Sequence, residues 1–238
     1  MAETSIEWAT DVWNPIIGCS PISEGCKACY AAVFARRLAG MGVEGYADVR
    51  GWDGTTRLIE GKLEIPLHLR KPRRIFVGSM TDLFHPSTPA WWVGKVIAAM
   101  ADAPQHTYMV LTKRADRMRE YFSQVDDEIP WLWLGVSVEN QARAEERIPD
   151  LLATPAALRF VSYEPALGPV DFSPWLKRPP RLNWVIAGAE TGPHRREAEL
   201  DWFRAARDAC DDAGVPFFLK KVTGGARTLD GRRHEVIP

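Results

Sequence analysis

The chain has 238 residues, 46% of them hydrophobic and 26% charged, which excludes disorder and fits one domain, residues 1–238, with one sizeable core. Thirty basic against 31 acidic side chains leave a net charge of −1, so the global footprint of a nucleic-acid binder is absent. No apolar run reaches bilayer length, and Met1 to Thr10 carries Glu3, Glu7 and Trp8 where a signal peptide would be basic and then apolar. A cytoplasmic location without a membrane partner is expected.

The first chemistry-bearing segment is residues 13–30. It contains Trp13-Asn14-Pro15-Ile16-Ile17-Gly18-Cys19 and Gly25-Cys26-Lys27-Ala28-Cys29-Tyr30, which place three of the four cysteines within eleven positions. In a reducing compartment clustered thiols favour metal or redox chemistry over a disulfide. Iron–sulfur and zinc sites normally take four protein ligands. Three local thiolates therefore suggest a centre with one open position, a structural zinc completed by histidine being the alternative. Cys210 recurs with Trp202 and Ala206 at helical spacing and reads as a small buried residue.

A first helix is predicted to start at or just after Cys29 and to end at Gly40. Residues 40–70 are glycine-rich and read as a long excursion and a candidate lid. Beyond them, short apolar runs alternate with helical patterns. The predicted strands are Arg74–Gly78, Thr107–Leu111, Trp131–Val136, Leu158–Ser162, Trp184–Gly188 and Pro216–Leu219, with starts roughly 25 to 33 residues apart, the length of a βα repeat. Helices are predicted over Trp91–Ala101, Ala115–Phe122, Asn140–Leu152 and Leu200–Ala213, with Asp82, Asn140 and Asp201 as caps or first-turn acids. Strands this continuously apolar are buried on both faces. The expected fold is α/β, a partial (β/α)6-type TIM barrel of parallel strands, with a doubly wound sheet as the alternative. The cysteine loop precedes the first barrel helix, and residues 222–238 form a C-terminal extension.

Polar residues follow each strand: Ser79 and Asp82, Lys113, Ser137 and Glu139, Glu164, and Glu190. The carboxyl ends of parallel strands open onto one face, so these side chains should converge beside the cysteine loop. For each residue taken alone, a cap, a surface ion pair or a solvated charge is the competing reading. Of ten tryptophans, Trp91, Trp131, Trp133 and Trp184 sit in core-patterned segments and read as structural.

The cysteine block, Val77-Gly78-Ser79-Met80-Thr81-Asp82-Leu83-Phe84-His85, Leu111-Thr112-Lys113-Arg114, Leu134 to Glu139, Ser162-Tyr163-Glu164-Pro165 through Val170, and Phe217-Phe218-Leu219-Lys220-Lys221 together resemble a phage-associated three-cysteine family. That family is similar to the spore photoproduct lyase side of the radical S-adenosylmethionine superfamily. The resemblance implies a [4Fe–4S] cluster on Cys19, Cys26 and Cys29, with S-adenosylmethionine chelating the fourth iron. It implies reductive cleavage of the cofactor to a 5′-deoxyadenosyl radical that abstracts hydrogen from a substrate, and an electron donor of flavodoxin or ferredoxin type. By similarity, Ser79 would meet the amino acid end of the cofactor, Lys113 its carboxylate and Ser137 its ribose, with Tyr30 against the cluster. Asp82 and Glu139 complete the expected cofactor-binding set, and Glu164 and Lys220 are the expected catalytic residues. The implied substrate is a nucleobase, such as a thymine-derived base in DNA hypermodification, and the reaction an isomerisation or lysis. Six residues separate the first two cysteines where most of that superfamily has three, and the aromatic follows the last cysteine rather than preceding it. Two other functions compete: a metal- or cluster-stabilised nucleic-acid-binding module without catalysis, and a metal-dependent hydrolase using Asp82, Glu164 and His85.

Overall fold

The computed structural model describes residues 2–4, 6–125, 128–192 and 194–238. In chain order its elements are β1 (Ala2–Glu3), β2 (Asp11–Trp13), β3 (Ile16–Ile17), α1 (Tyr30–Gly40), α2 (Tyr46–Val49), β4 (Arg57–Leu58), β5 (Arg74–Val77), α3 (Ala90–Ala101), β6 (Thr107–Thr112), α4 (Ala115–Tyr121), β7 (Leu132–Ser137), α5 (Gln141–Leu152), β8 (Leu158–Tyr163), β9 (Trp184–Gly188), α6 (Leu200–Ala213) and β10 (Phe217–Lys221). The main sheet runs β1-β2-β5-β6-β7-β8-β9-β10, and β3 pairs with β4 in a separate ribbon.

From β2 to β10 every neighbouring pair in the main sheet is parallel, and the strands follow one another in chain order. A doubly wound sheet would reverse that order part-way. The seven parallel strands instead curl in one sense into a half-barrel. Six of them are those expected from the sequence. The seventh, β2, has no signal in the sequence, because three residues beginning with an aspartate give no apolar run. Each edge is covered. The antiparallel β1 lies along β2, while Leu219 N donates to the His234 carbonyl at 2.7 Å beside β10.

Side-chain alternation along the strands separates two apolar bodies. Ile75, Val77, Tyr108, Val110, Leu134, Val136, Val161 and Val185 face outward to the helices. Phe76, Met109, Phe160, Trp184, Ile186 and Phe218 face inward and meet Trp8, which plugs the amino-terminal part of the concave face. Toward the carboxyl ends, the same inward phase passes to Gly135, Ser137, Ser162, Gly188 and Lys220. The interior thus changes from aromatic to polar along its own strands.

Residues 40–70 are built into the structure through their own core. Tyr46, Val49, Trp52 and Ile59 are buried with Ile17, Ala31, Ala35 and Met80, which fastens this segment to α1 and to the β3–β4 ribbon. Trp184 is fully buried as expected, but Trp91 is 59% exposed, which corrects its reading as a core residue. It lies on the face of α3 opposite Val93, Val96 and Met100, under the Lys95 ammonium at 5.1 Å. No helix among the described residues is long and apolar enough to cross a membrane.

Candidate functional site

The cysteine loop leaves β2 at Trp13 and is pinned at once by Asn14. The Asn14 Oδ1 accepts from the Met80 amide at 3.0 Å, and its Nδ2 donates to Ser79 Oγ at 3.0 Å. Gly18 follows with φ +94, and a Cβ there would lie 2.1 Å from the Thr55 carbonyl oxygen. Only glycine lets the loop pass so close to that backbone. Cys19 and Cys29 then pack against the Tyr46–Trp52 core. Cys26 ends a single 3-10 turn, and Cys29 is the N-cap of α1.

The thiols sit in unlike surroundings. Burial, reinforced by the Asp82 charge, pushes Cys19 up to about 12, although Arg114 Nη1 lies 3.9 Å from its sulfur. Burial also raises Cys26, but the Lys113 ammonium, the backbone at Ile22 and Ser23 and the Ser23 hydroxyl outweigh it, so the net shift is downward. Among the described residues, no three His, Cys, Asp or Glu side chains gather as a metal-ion site. Thiolates that each bind a different iron of a cubane need not share one such point.

Carboxyl-end residues of successive strands close around this loop. Asp82 is nearly buried, and both of its oxygens are saturated. Oδ1 accepts from Thr112 Oγ1 at 2.7 Å and the Phe84 amide at 3.1 Å, while Oδ2 accepts from the Lys113 amide at 3.1 Å and Arg114 Nη1 at 2.8 Å. Arg114 continues to the Ser20 carbonyl at 3.2 Å. Asp82 therefore works through Arg114, holding it against the segment that carries Cys19.

Glu139 is fully buried between two cations. It pairs with Lys113 through Oε1 and with Arg147 Nη1 at 3.1 Å through Oε2. Ser23 of the cysteine loop donates to Oε1 at 2.6 Å. A Cβ on Gly25 would lie 2.5 Å from that oxygen and 2.8 Å from Lys113 Nζ. The loop is thus seated directly on the Lys113–Glu139 pair. Glu24 is tied down as well, by Asn140 Nδ2 at 2.6 Å and Arg143 Nη2 at 3.2 Å, and its carbonyl accepts from Arg196 Nη2 at 3.0 Å. Glu190 is occupied in orienting that Arg196.

The other side of the mouth is more open. Tyr30 donates from its hydroxyl to the Ser79 carbonyl at 2.9 Å. Burial of that hydroxyl, then the charges of Cys29 and Glu164, raise its pKa. Half of the Tyr30 residue surface nevertheless remains in contact with solvent. Glu164 accepts from Lys220 Nζ at 2.6 Å, with about a fifth of each side chain accessible. A Cβ on Gly188 would lie 3.2 Å from Glu164 Oε1, so glycine at that inward position leaves the carboxylate its place. Ser137 is nearly buried at the end of β7, where its carbonyl accepts from Arg147 at 2.8 Å. His85 bonds Ser20 through Nε2 at 2.8 Å, takes the Ser87 amide at Nδ1 at 3.1 Å and donates its own amide to the Asp82 carbonyl at 3.0 Å, so it borders the Asp82–Arg114 network through Ser20 and its backbone.

The profile of a family described as protein of unknown function (DUF5131) matches residues 3–238. The chain belongs to that family. No curated protein and no solved structure matches it.

In this DUF5131 member, several residues that hold the site escaped sequence reading. Arg147 lies inside α5 and carries the charge of an ordinary helix surface, yet it is 1% exposed. Ser23 and Gly25 look like spacers between cysteines, and Arg196 reads as a loop charge. Asn14 follows β2 in the phase shared by the other polar strand ends, but β2 itself gives no apolar run in the sequence to reveal it.

Proposed function

We propose that this chain is a radical S-adenosylmethionine-type enzyme whose cluster is held by Cys19, Cys26 and Cys29, on a barrel of the partial (β/α)6 type. The observation that carries the reading is the seating of a three-cysteine loop on the polar carboxyl ends of a half-barrel. The donor set is suitable: three partly buried thiols, one with a lowered pKa, have the cations of Lys113 and Arg114 close by. Thiolates are the ligating form, and neighbouring cations offset the negative charge of a thiolate-held centre. When bound, the cluster and S-adenosylmethionine would supply an electron and a carbon radical able to take hydrogen from a substrate.

The chain's own residues do the remaining work. Asp82 and Glu139 fix Arg114 and Lys113, and those two fix the loop. Lys113 offers a compact positive charge for a carboxylate of the cofactor, while Ser79, Ser137 and Tyr30 supply polar contacts along the same rim. Glu164 and Lys220, on the inward phase and accessible, are suited to hold the substrate or move a proton. A nucleobase is the proposed substrate class.

The test is anaerobic reconstitution with iron and sulfide. Wild-type and Cys210→Ala protein should take up about four irons and be reducible to a paramagnetic cluster, while Cys26→Ala should lose most of its iron. Incubation of the reduced protein with S-adenosylmethionine should release 5′-deoxyadenosine. A colourless protein that binds stoichiometric zinc and nucleic acid would replace this reading with that of a metal-stabilised binding module.

A further inference from the structure

Among the described residues the outer face of α1 has no partner, and it begins at the cysteine loop. Ala31 and Ala35 are buried against the Tyr46–Trp52 core. With 3.6 residues per turn, the opposite side of the helix presents Tyr30, Val33, Phe34 and Arg37, continuing to Met41. Tyr30, Val33, Phe34 and Met41 are 51%, 64%, 48% and 66% exposed. Tyr30 and Phe34 stack edge to face at 6.4 Å, so the exposed apolar surface is contiguous rather than scattered.

Its charge is one-sided. From Gly25 to Val43 the sequence holds Lys27, Arg36 and Arg37 and no acidic residue, in a chain whose net charge is −1. All three cations are exposed, and none forms an ion pair among the described residues. Elsewhere in the same chain Arg196, Arg204 and Arg207 are paired with carboxylates. An apolar centre with a basic rim and unused charges has the make-up of a protein contact site, and its small extent fits a transient encounter.

We infer that the exposed face of α1, with Lys27 at its head, docks an acidic one-electron carrier protein that reduces the centre held by the cysteine loop. This rests on the function proposed above, which needs an electron from outside the chain. Val33 and Met41 give the face an aliphatic part, and its two aromatic rings, Tyr30 and Phe34, are packed edge to face on each other at 6.4 Å, a mixed apolar centre of the kind found in protein contact sites. Charge complementarity selects an acidic partner, steered to this face. Lys27 lies between Cys26 and Cys29 in the sequence, so a carrier in contact with it is brought to the ligand loop itself. One electron leaves the carrier, which is oxidised, and reduces the centre; no bond is made or broken at the contact.

The experiment measures binding of an oxidised acidic flavodoxin to the full chain, with and without reconstituted cluster, at low and high salt. Arg36→Glu/Arg37→Glu, on α1 and clear of the cysteine loop, should weaken binding by about tenfold or more at low salt, with the difference shrinking as salt rises. Lys177→Glu/Arg178→Glu, at exposed positions outside the face, should bind as the wild type does. In reconstituted protein, cluster reduction by reduced flavodoxin should slow in the α1 variant while reduction by dithionite is unchanged. Equal binding by the two variants would overturn the inference, as would loss of oligonucleotide binding in the α1 variant with no flavodoxin binding by the wild type. Failure of the parent reading is seen separately, as wild-type protein that assembles no cluster.

Discussion

Glu139 and Glu164 follow neighbouring strands of one sheet, both end up facing the mouth of the half-barrel, and both accept from a lysine. Their surroundings differ in kind. Glu139 is sealed between Lys113 and Arg147 beneath the cysteine loop, whereas among the described residues the Glu164 carboxylate bonds to Lys220 alone and shares its surface with solvent. A carboxylate with both oxygens engaged and no access to solvent positions other groups. One with a single partner and an open side can exchange it for a ligand. The mouth is accordingly divided into a fastened half under the loop and a working half opposite.

The strongest way to break this division is Glu139→Leu, which leaves Arg147 charged and without its carboxylate in the interior. Removing one member of a buried pair costs about 3–5 kcal/mol, a loss that urea denaturation should register. Arg147→Met combined with Glu139→Leu should recover part of it. A loss below about 1 kcal/mol in the single variant would mean that the loop is not seated on this carboxylate.

Glu164→Gln probes the working half. Its effect on stability should stay within about 1 kcal/mol, as for other accessible pairs. Turnover of substrate by the reconstituted protein should fall about a hundredfold or more if the carboxylate moves a proton. Iron content should remain at the wild-type level. Unchanged turnover would remove Glu164 from the chemistry.

A smaller effect sharpens the picture of how the loop is held. The backbone amide of Glu24, with Arg143 and Asn140 adding to it against burial, lowers this carboxyl from 4.5 to about 2. A depressed pKa stabilises the fold above the unfolded value and ceases to do so as pH falls through the folded one. The stability difference between wild type and Glu24→Gln should therefore be constant above about pH 5 and shrink between about pH 4.5 and 2. Denaturant midpoints at pH 6, 4 and 2.5 would check this, and a difference that grows on acidification would contradict it.

Much of the fold was legible because its information is local. The runs Arg74–Val77, Leu132–Ser137 and Trp184–Gly188 each carry their own strand signal, and Asn140 caps α5 as its sequence suggests, accepting from the Arg143 amide at 3.1 Å. Cys210 is buried as its helical phase requires. The long-range information was out of reach. Nothing in residues 40–70 announces that Tyr46, Val49, Trp52 and Ile59 bury themselves against α1, because a core shared between a loop and a helix has no periodicity of its own. Trp91 fails for the opposite reason: α3 is apolar nearly all round, so its pattern does not say which side faces water. In the site, the strand-end acids and the partners Lys113 and Lys220 were visible, but Arg147 and Arg196, which complete the pairing of Glu139 and Glu190, sit at helix and loop positions that look like ordinary surface charges.

The coverings of the two sheet edges bear on how the molecule can be handled. An open parallel sheet leaves a row of backbone donors and acceptors on each outermost strand, and such rows recruit other chains. Here Ala2–Glu3 is laid along β2, and the stretch around His234 and Glu235 along β10, where Val236 also takes the Trp184 indole N–H at 3.0 Å. Trimming the last five residues would therefore do more than shorten a tail. It would unzip one selvedge of the sheet and bare a strand ready to pair with its own kind, so variants lacking this stretch should be watched for self-association before any loss of activity is assigned to the site.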